Sequence, residues 1–453
     1  MPDRGECGIV VIGCGVVGGA VADALLRNAA HLAARVGRPL ALRAVVDVNL
    51  DNARRLGLPE PLLSTDYKAA IARTDVEVVV ELIGGAGIAR QVVADALQAG
   101  KCVVTANKAL LAKHGAELHA LAREHASCIA FEASCAGAIP IIAALSEELA
   151  CDRVEALYGI VNGTCNYILT AMTGQEQTYA QALAAAQKKG LAEADPTLDV
   201  SGQDSAHKLA ILAALAFGVR VELDQVYVEG IDKLQLQDIR YGHELGYVVK
   251  LLAIARRQEE GLSLRVHPAF ISKQHPLAWV SGPFNAVSVY AERSGHTMYY
   301  GRGAGGVPTS AAVIGDIAQV ALGNAQRKFQ AMGLWPDRSP AGSLLEIGRV
   351  RGRYYLRAQV EDLPGVLAQI ARSLGDRDIS ISSVLQHEPP DGGEPQTPAR
   401  VGGPARGVPV VVTTHPALEA NIRAALDELS ARKVVKMPAV CIRLVDEHEE
   451  HNG

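Results

Sequence analysis

Residues 7–18, CGIVVIGCGVVG, restrict the fold more than any other stretch of the chain. The apolar, β-branched run reads as a buried strand, and VVGGAVADALLRNAAHLAARV behind it reads as a helix. Between them Gly13, Gly15 and Gly18 fit G-x-G-x-x-G. In such a loop the first glycine makes the tight turn and the second lets a pyrophosphate approach the backbone. The third lets helix and strand pack closely. The helix start, with Val16 and Val17, offers unpaired N–H groups and a positive dipole end to phosphates. Alone, the motif also describes an ordinary tight turn; its strand–loop–helix setting favours a dinucleotide site.

The same rhythm continues. LALRAVVDV (40–48), VEVVVELIGG (76–85), KCVVTAN (101–107) and CIAFEA (128–133) read as strands, with helices over about 88–99 and 109–124. Apolar strands alternating with helices indicate a Rossmann-type α/β parallel sheet over residues 1–150. From 151 to 308 the pattern becomes α+β: a strand and helix in VEALYGIVNGTCNYIL, helices near 178–189 and 204–217, and strands with a glycine-rich turn in 275–309. A helix over about 309–330 is expected to return to the first domain. Residues 350–446 repeat strand–helix–strand twice, as in a βαββαβ unit. They are interrupted by the Pro/Gly-rich stretch 387–407, read as a flexible loop. The polar tail DEHEEHNG reads as solvated.

Composition narrows the function. The 453 residues carry a formal charge of -5 with no Lys/Arg cluster, which argues against a nucleic-acid surface. No uncharged apolar run has membrane-spanning length, and the N-terminus has no signal-peptide pattern. The eight cysteines form no C-x-x-C pair and fit buried thiols in a reducing compartment, so a cytoplasmic enzyme is expected.

Charge is concentrated in LAEADPTLDVSGQDSAHKLAIL (191–212), where Glu193, Asp195, Asp199 and Asp204 precede Lys208. The segment from Leu209 to Phe217 is apolar all round and should be buried. Asp204 and Lys208 at i,i+4 could be an ordinary helix salt bridge; Glu193 and Asp199 upstream are not covered by that reading. Lys108 follows a strand ending at the carboxyl edge of the parallel sheet, where ligands bind, although a solvated helix-start lysine fits the same position. Asp47 ends the second strand, where an acid takes the ribose hydroxyl of NAD, or simply faces solvent. No Arg directly precedes it, which leans toward NAD over NADP.

Several long segments, KGLAEADPTLDVSGQDSAHKLAIL, VTANKALLAKHG, FEASCAGAIPII, GIVNGTCNYIL and YYGRGAGGVPTSAAVIGDI, resemble homoserine dehydrogenases in that family's order. RAQVEDLPGVLAQIARSLGDRDISISSVLQ resembles an ACT regulatory domain. The resemblance implies reduction of L-aspartate 4-semialdehyde to L-homoserine with NAD(P)H. It implies Lys208 as catalytic acid/base, with Lys108 binding substrate and orienting the reacting groups. Glu193 and Asp204 would hold the amino acid, Asp199 would support the site, and Thr105, Gly190, Glu193, Lys108 and Gly303 would line the cofactor. FEASCAGAIP resembles a monovalent-cation loop, in which Glu132 and the carbonyls of Cys135, Gly137 and Ile139 would hold Na+ or K+; an ordinary strand-to-helix turn is the other reading. The ACT-like unit implies a threonine effector, and the whole implies a homodimer or tetramer.

An ammonium beside an aldehyde oxygen stabilises the charge that hydride transfer develops there. In the reverse direction a neutral lysine would be the base, favoured where burial or a second ammonium lowers its pKa. Another amino-acid dehydrogenase with a regulatory tail would share the first and last parts, without predicting the segment around Lys208. A non-catalytic nucleotide and amino-acid sensor is disfavoured by the combined presence of Lys108, Glu193, Asp204 and Lys208.

Overall fold

The computed structural model describes residues 5–387 and 407–446. Six strands, β1 (Cys7–Ile12), β2 (Leu40–Val46), β3 (Leu63–Ser64), β4 (Val78–Glu81), β5 (Cys102–Thr105) and β6 (Ile129–Ala130), form one sheet in the order β3-β2-β1-β4-β5-β6. Every pairing is parallel. The buried Val and Ile of β1, β4 and β5 need helices on both faces to cover them. The chain reverses direction of winding between β1 and β4, which leaves a crevice at the carboxyl edge where the glycine loop lies.

Three local expectations change. The first helix is two, Val16–Arg27 and Ala29–Val36, broken at Asn28, whose backbone (φ -105, ψ 15) leaves the helical region. The strand expected over 128–133 is only Ile129–Ala130, because Glu132–Ser134 turns into a 3-10 helix. The returning helix begins earlier, as Gly306–Ala321, and a break at Gly323 separates it from Asn324–Ala331. The first of these packs on Val16–Arg27, and its end accepts a hydrogen bond at the Ala321 carbonyl from Arg38 Nη1 at 3.2 Å.

The second sheet is continuous across the rest of the chain. Its strands are β7 (Val154–Ile160), β8 (Tyr227–Val228), β9 (Tyr247–Gln258), β10 (Gly261–Ser272), β11 (Phe284–Ala291), β12 (Gly295–Arg302), β13 (Arg351–Glu361), β14 (Ile381–Leu385), β15 (Gly407–Thr414), β16 (Ala417–Leu418) and β17 (Val435–Val445). Off to the side, β8 pairs with β10 and β16 with β13; the other nine run in the order β12-β11-β7-β9-β10-β17-β13-β15-β14. The last four, with helices Val366–Gly375 and Glu419–Ala431, make the expected βαββαβ unit, which has its own apolar core. That unit does not hang free: β17 pairs in parallel with β10 over Ala269–Ile271, joining its sheet to the central one. Most of the expected loop 387–407 and the tail lie outside the described residues. Among the described residues no helix is long and apolar enough to cross a membrane. Six of the eight cysteines are buried, Cys441 is half-buried and Cys151 is exposed; all are free.

Candidate active site

The nucleotide end is built from backbone. Gly13 has φ 97, open to glycine at little cost, and a Cβ there would strike the Leu82 carbonyl at 2.6 Å. A Cβ at Gly18 would lie 1.9 Å from the Gly13 carbonyl oxygen, so helix and loop touch. At Gly15 nothing lies within 4 Å of that position, and no side chain caps the helix it begins. The first-turn N–H groups, with Val16 exposed and Val17 half-buried, are therefore free to meet an anion. These residues fit a dinucleotide pyrophosphate.

Asp47 stands at the end of β2, and its Oδ2 accepts from the Cys14 N–H at 2.6 Å, so the acid also braces the loop. It is only partly buried, which leaves room for a hydroxyl donor. Thr105 is fully buried, and its hydroxyl donates to Glu81 Oε2 at 2.7 Å while accepting from the Asn107 N–H at 3.0 Å. Glu81, unnoticed in the sequence because it is one acid in a valine run, also accepts from the N–H groups of Ile83 and Gly84.

The substrate end is built from side chains. The helix Gln203–Phe217 is buried nearly throughout, as its apolar pattern requires. Asp204 and Lys208 lie one turn apart on it, with Asp204 Oδ2 accepting from Lys208 Nζ at 2.7 Å. Lys208 Nζ also donates to the Val161 carbonyl at 2.6 Å, so one of its three protons remains uncommitted. Lys108, at the start of the helix Lys108–Glu124, places its Nζ 3.1 Å from Asp204 Oδ1. Asn162, absent from the sequence-derived set, donates through Nδ2 to Asp199 at 2.7 Å and Asp204 at 2.8 Å. Its own Oδ1 caps the next helix by accepting from the Cys165 N–H. An Asn before Gly-Thr at a helix start is a capping signal, and that signal was present in VNGTCN.

Burial alone would raise the Asp204 pKa; Lys208 and Lys108 outweigh it and hold the carboxyl far below the ordinary range. For Lys108, burial pulls its pKa down but Asp204 more than compensates, so the net shift is upward. At Lys108 the carboxylate shared by the two cations therefore outweighs burial.

Glu193 is not drawn into this cluster. It lies exposed on the loop after Gly190 (φ 68), and its carbonyl, not its carboxylate, accepts from Gln187 at 3.1 Å. In the 132–139 loop the Glu132 carboxylate accepts from the N–H groups of Ile142 and Ala143, both at 2.8 Å, and so caps the helix Ile141–Ser146. Each of its oxygens thus takes one hydrogen bond, and among the described residues no group of three His, Cys, Asp or Glu could hold a metal. Ile139's carbonyl accepts from Ile141. Gly137 packs on Gly303, and burial pushes the Cys135 thiol up to about 12. The Glu132 carboxylate and the backbone oxygens of this loop make an all-oxygen donor set, of the kind that suits a hard cation and not zinc.

Family comparison follows the same division of the chain. Models described as homoserine dehydrogenase NAD binding domain, homoserine dehydrogenase and ACT domain match residues 13–132, 140–318 and 354–431. A homoserine dehydrogenase of Neisseria gonorrhoeae is 40% identical over 444 residues, covering 97% of this chain and 99% of that protein. That of Corynebacterium glutamicum is 42% identical over 444 residues, covering 96% and 95%. The chain belongs to the homoserine dehydrogenase family.

The crystal structure of a homoserine dehydrogenase from Thiobacillus denitrificans superposes with a TM-score of 0.89 at 40% identity, covering 97% of this chain and 98% of that one. As a member of this family the protein is an NAD(P)-dependent oxidoreductase with a C-terminal ACT domain.

Proposed function

We propose that the protein interconverts L-aspartate 4-semialdehyde and L-homoserine, with Lys208 as acid/base. The observation that carries this is the single buried carboxylate of Asp204, shared by Lys108, Lys208 and Asn162. A nicotinamide cofactor, when bound, supplies or takes up the hydride. As hydride reaches the aldehyde carbon, the carbonyl electron pair moves to oxygen. The uncommitted N–H of Lys208 points its charge at that oxygen and delivers the proton that completes the alcohol. Lys108, with donors left over from its one bond to Asp204, holds the oxygen or the substrate carboxylate in line. Asp199 and Asp204 receive the substrate ammonium. Glu193 is assigned to substrate and cofactor on resemblance alone, since its carboxylate stands outside the cluster.

Asp47 supports a preference for NAD: a 2′-phosphate would meet its carboxylate, and Arg54 nearby is engaged by Glu60 at 2.9 Å. A monovalent cation on the backbone carbonyls of the 132–139 loop, threonine feedback through the ACT domain, a cytoplasmic location and a homodimer or tetramer built on the central domain complete the reading. So does its division into 1–150, 151–308 and 350–446.

The deciding experiment is homoserine oxidation followed with NAD and with NADP, for wild type and Lys208→Ala. The substitution is expected to lower kcat by a factor of about 10²–10⁴, the usual worth of a general acid/base. A near-normal kcat would overturn the assignment. Threonine at millimolar concentration is expected to slow the wild type; an unchanged rate removes the feedback.

A further inference from the structure

The chemistry proposed above uses no residue of the ACT domain, yet that domain's last strand grips the segment that backs the acid-bearing turn. Arg443 on β17 is buried and donates through Nε to Glu419 Oε2 at 2.9 Å. Its Nη1 reaches across to Glu229 Oε2 at 2.7 Å, and the Tyr227 hydroxyl donates to the same oxygen at 3.0 Å. Glu229 therefore sits in a three-way knot made by two parts of the fold.

From Glu229 the chain leads directly to the site. The Glu229 N–H donates to the Val266 carbonyl at 2.8 Å, fixing the segment on β10. Two residues later the Ile231 N–H donates to the Val200 carbonyl at 2.9 Å. Between them Gly230 lies so close to the turn that a Cβ there would stand 2.4 Å from the Val200 oxygen and 2.8 Å from Ser201 Cα. Val200 is the residue after Asp199, and Gly202 opens the helix that carries Asp204 and Lys208. The gap between Asp199 and Asp204 must match one amide group, because Asn162 Nδ2 serves both at 2.7 and 2.8 Å. A shift of the turn by well under 1 Å would take one of those bonds out of range.

We propose that Glu229, held by Arg443, is a positioning residue for the reaction: it presses the 228–231 segment onto the turn at 200–202 and so sets the spacing of Asp199 and Asp204. The inference rests on the reading that these two acids hold the substrate ammonium. It also makes the ACT domain part of the support of the active site, since the cation that holds Glu229 belongs to that domain.

The test is Glu229→Ala in the full-length enzyme. This change leaves the buried Arg443–Glu419 pair intact, so the fold is not deprived of a buried counter-charge; circular dichroism and thermal melting verify it. The expected result is a rise of about tenfold in the KM for homoserine with the cofactor KM unchanged. Glu229→Gln keeps an oxygen acceptor for Arg443 and is expected to restore most of the loss. A merely structural role would lower Tm and leave the two KM values in their original ratio. An unchanged homoserine KM, or equal rises in both, overturns the proposal. Asp204→Asn, run alongside, separates the two ideas. If it leaves homoserine turnover intact, the assignment of the acids is wrong; if it abolishes turnover while Glu229→Ala does nothing, only the positioning role falls.

Discussion

Among the described residues two buried aspartates, Asp238 and Asp204, face cations, and they are built for different ends. Asp238 is fully buried and accepts from Arg357 Nε at 2.6 Å, Arg357 Nη2 at 3.0 Å and the Tyr355 hydroxyl at 2.9 Å. Its cation is a planar fork that stays charged, and Gln235 takes a further donor of that fork at 2.8 Å. Asp204, almost as buried, is met by two lysines and an amide. Lysine is a compact charge on a flexible stem and can give up its proton. Lys108 is about one-third exposed, at 32% of its side chain. One arrangement is closed and saturated. The other keeps proton donors in hand and a way out to a ligand.

Breaking each carboxylate should separate stability from activity. Asp238→Asn leaves the Arg357 guanidinium buried without its counter-charge, and the expected cost is about 3–5 kcal/mol of folding stability. Denaturant unfolding measures it, and the molecules that remain folded should keep their kcat. Asp204→Asn should do the reverse. Its lysines can respond by shifting protonation, so the melting temperature changes less. The kcat/KM for homoserine is expected to fall by about 10²–10³, as for other losses of a preorganised charge at a reacting centre. Equal stability losses in the two variants would erase the distinction.

Acid sharpens the same contrast. The Asp204 carboxyl, opposed by burial but governed by Lys208 and Lys108, titrates below its ordinary value of 3.8. In that window the unfolded chain binds more protons than the folded one. The group's contribution is therefore present above the unfolded value and is lost as pH falls through the folded one. Denaturant midpoints taken from about pH 6 down to about pH 3 should fall more steeply for wild type than for Asp204→Asn. Parallel slopes would mean that the lysines do not hold this carboxyl ionised.

How much of this was readable in the chain depends on which atoms do the work. The nucleotide end is legible in Gly13, Gly15 and Gly18, because backbone makes it and the motif is contiguous. The Asp204–Lys208 bridge follows from helix spacing. Lys108 stands out by its place at the sheet edge and Asp199 as an acid that the helix bridge leaves over; resemblance supplies their roles, and the fold brings both to the same carboxylate network. Asn162 was invisible as a site residue, standing 42 positions from Asp204 and looking like a helix cap. Glu193 and Glu132 stand apart from that network. Each matches a family segment; one carboxylate is in solvent and the other caps a helix start. The β10–β17 junction had no signal at all, since pairing between strands of separate units is a property of their surfaces and not of either sequence pattern.

Asn162 gives the smallest and most discriminating test. Asn162→Ala removes both a helix cap and the donor shared by Asp199 and Asp204; the cap alone is worth about 1 kcal/mol. Asn162→Asp keeps an oxygen for the Cys165 N–H, since Asp caps as well as Asn, but turns the shared donor into a third carboxylate. If the residue is only a cap, the Ala variant loses stability and the Asp variant behaves as wild type in homoserine oxidation. If the residue spaces the two acids, both variants lose homoserine kcat/KM, by about tenfold for Ala and by more for Asp, where like charges within hydrogen-bonding distance repel. The ordering of the two activities therefore decides the role independently of how stable either variant proves to be.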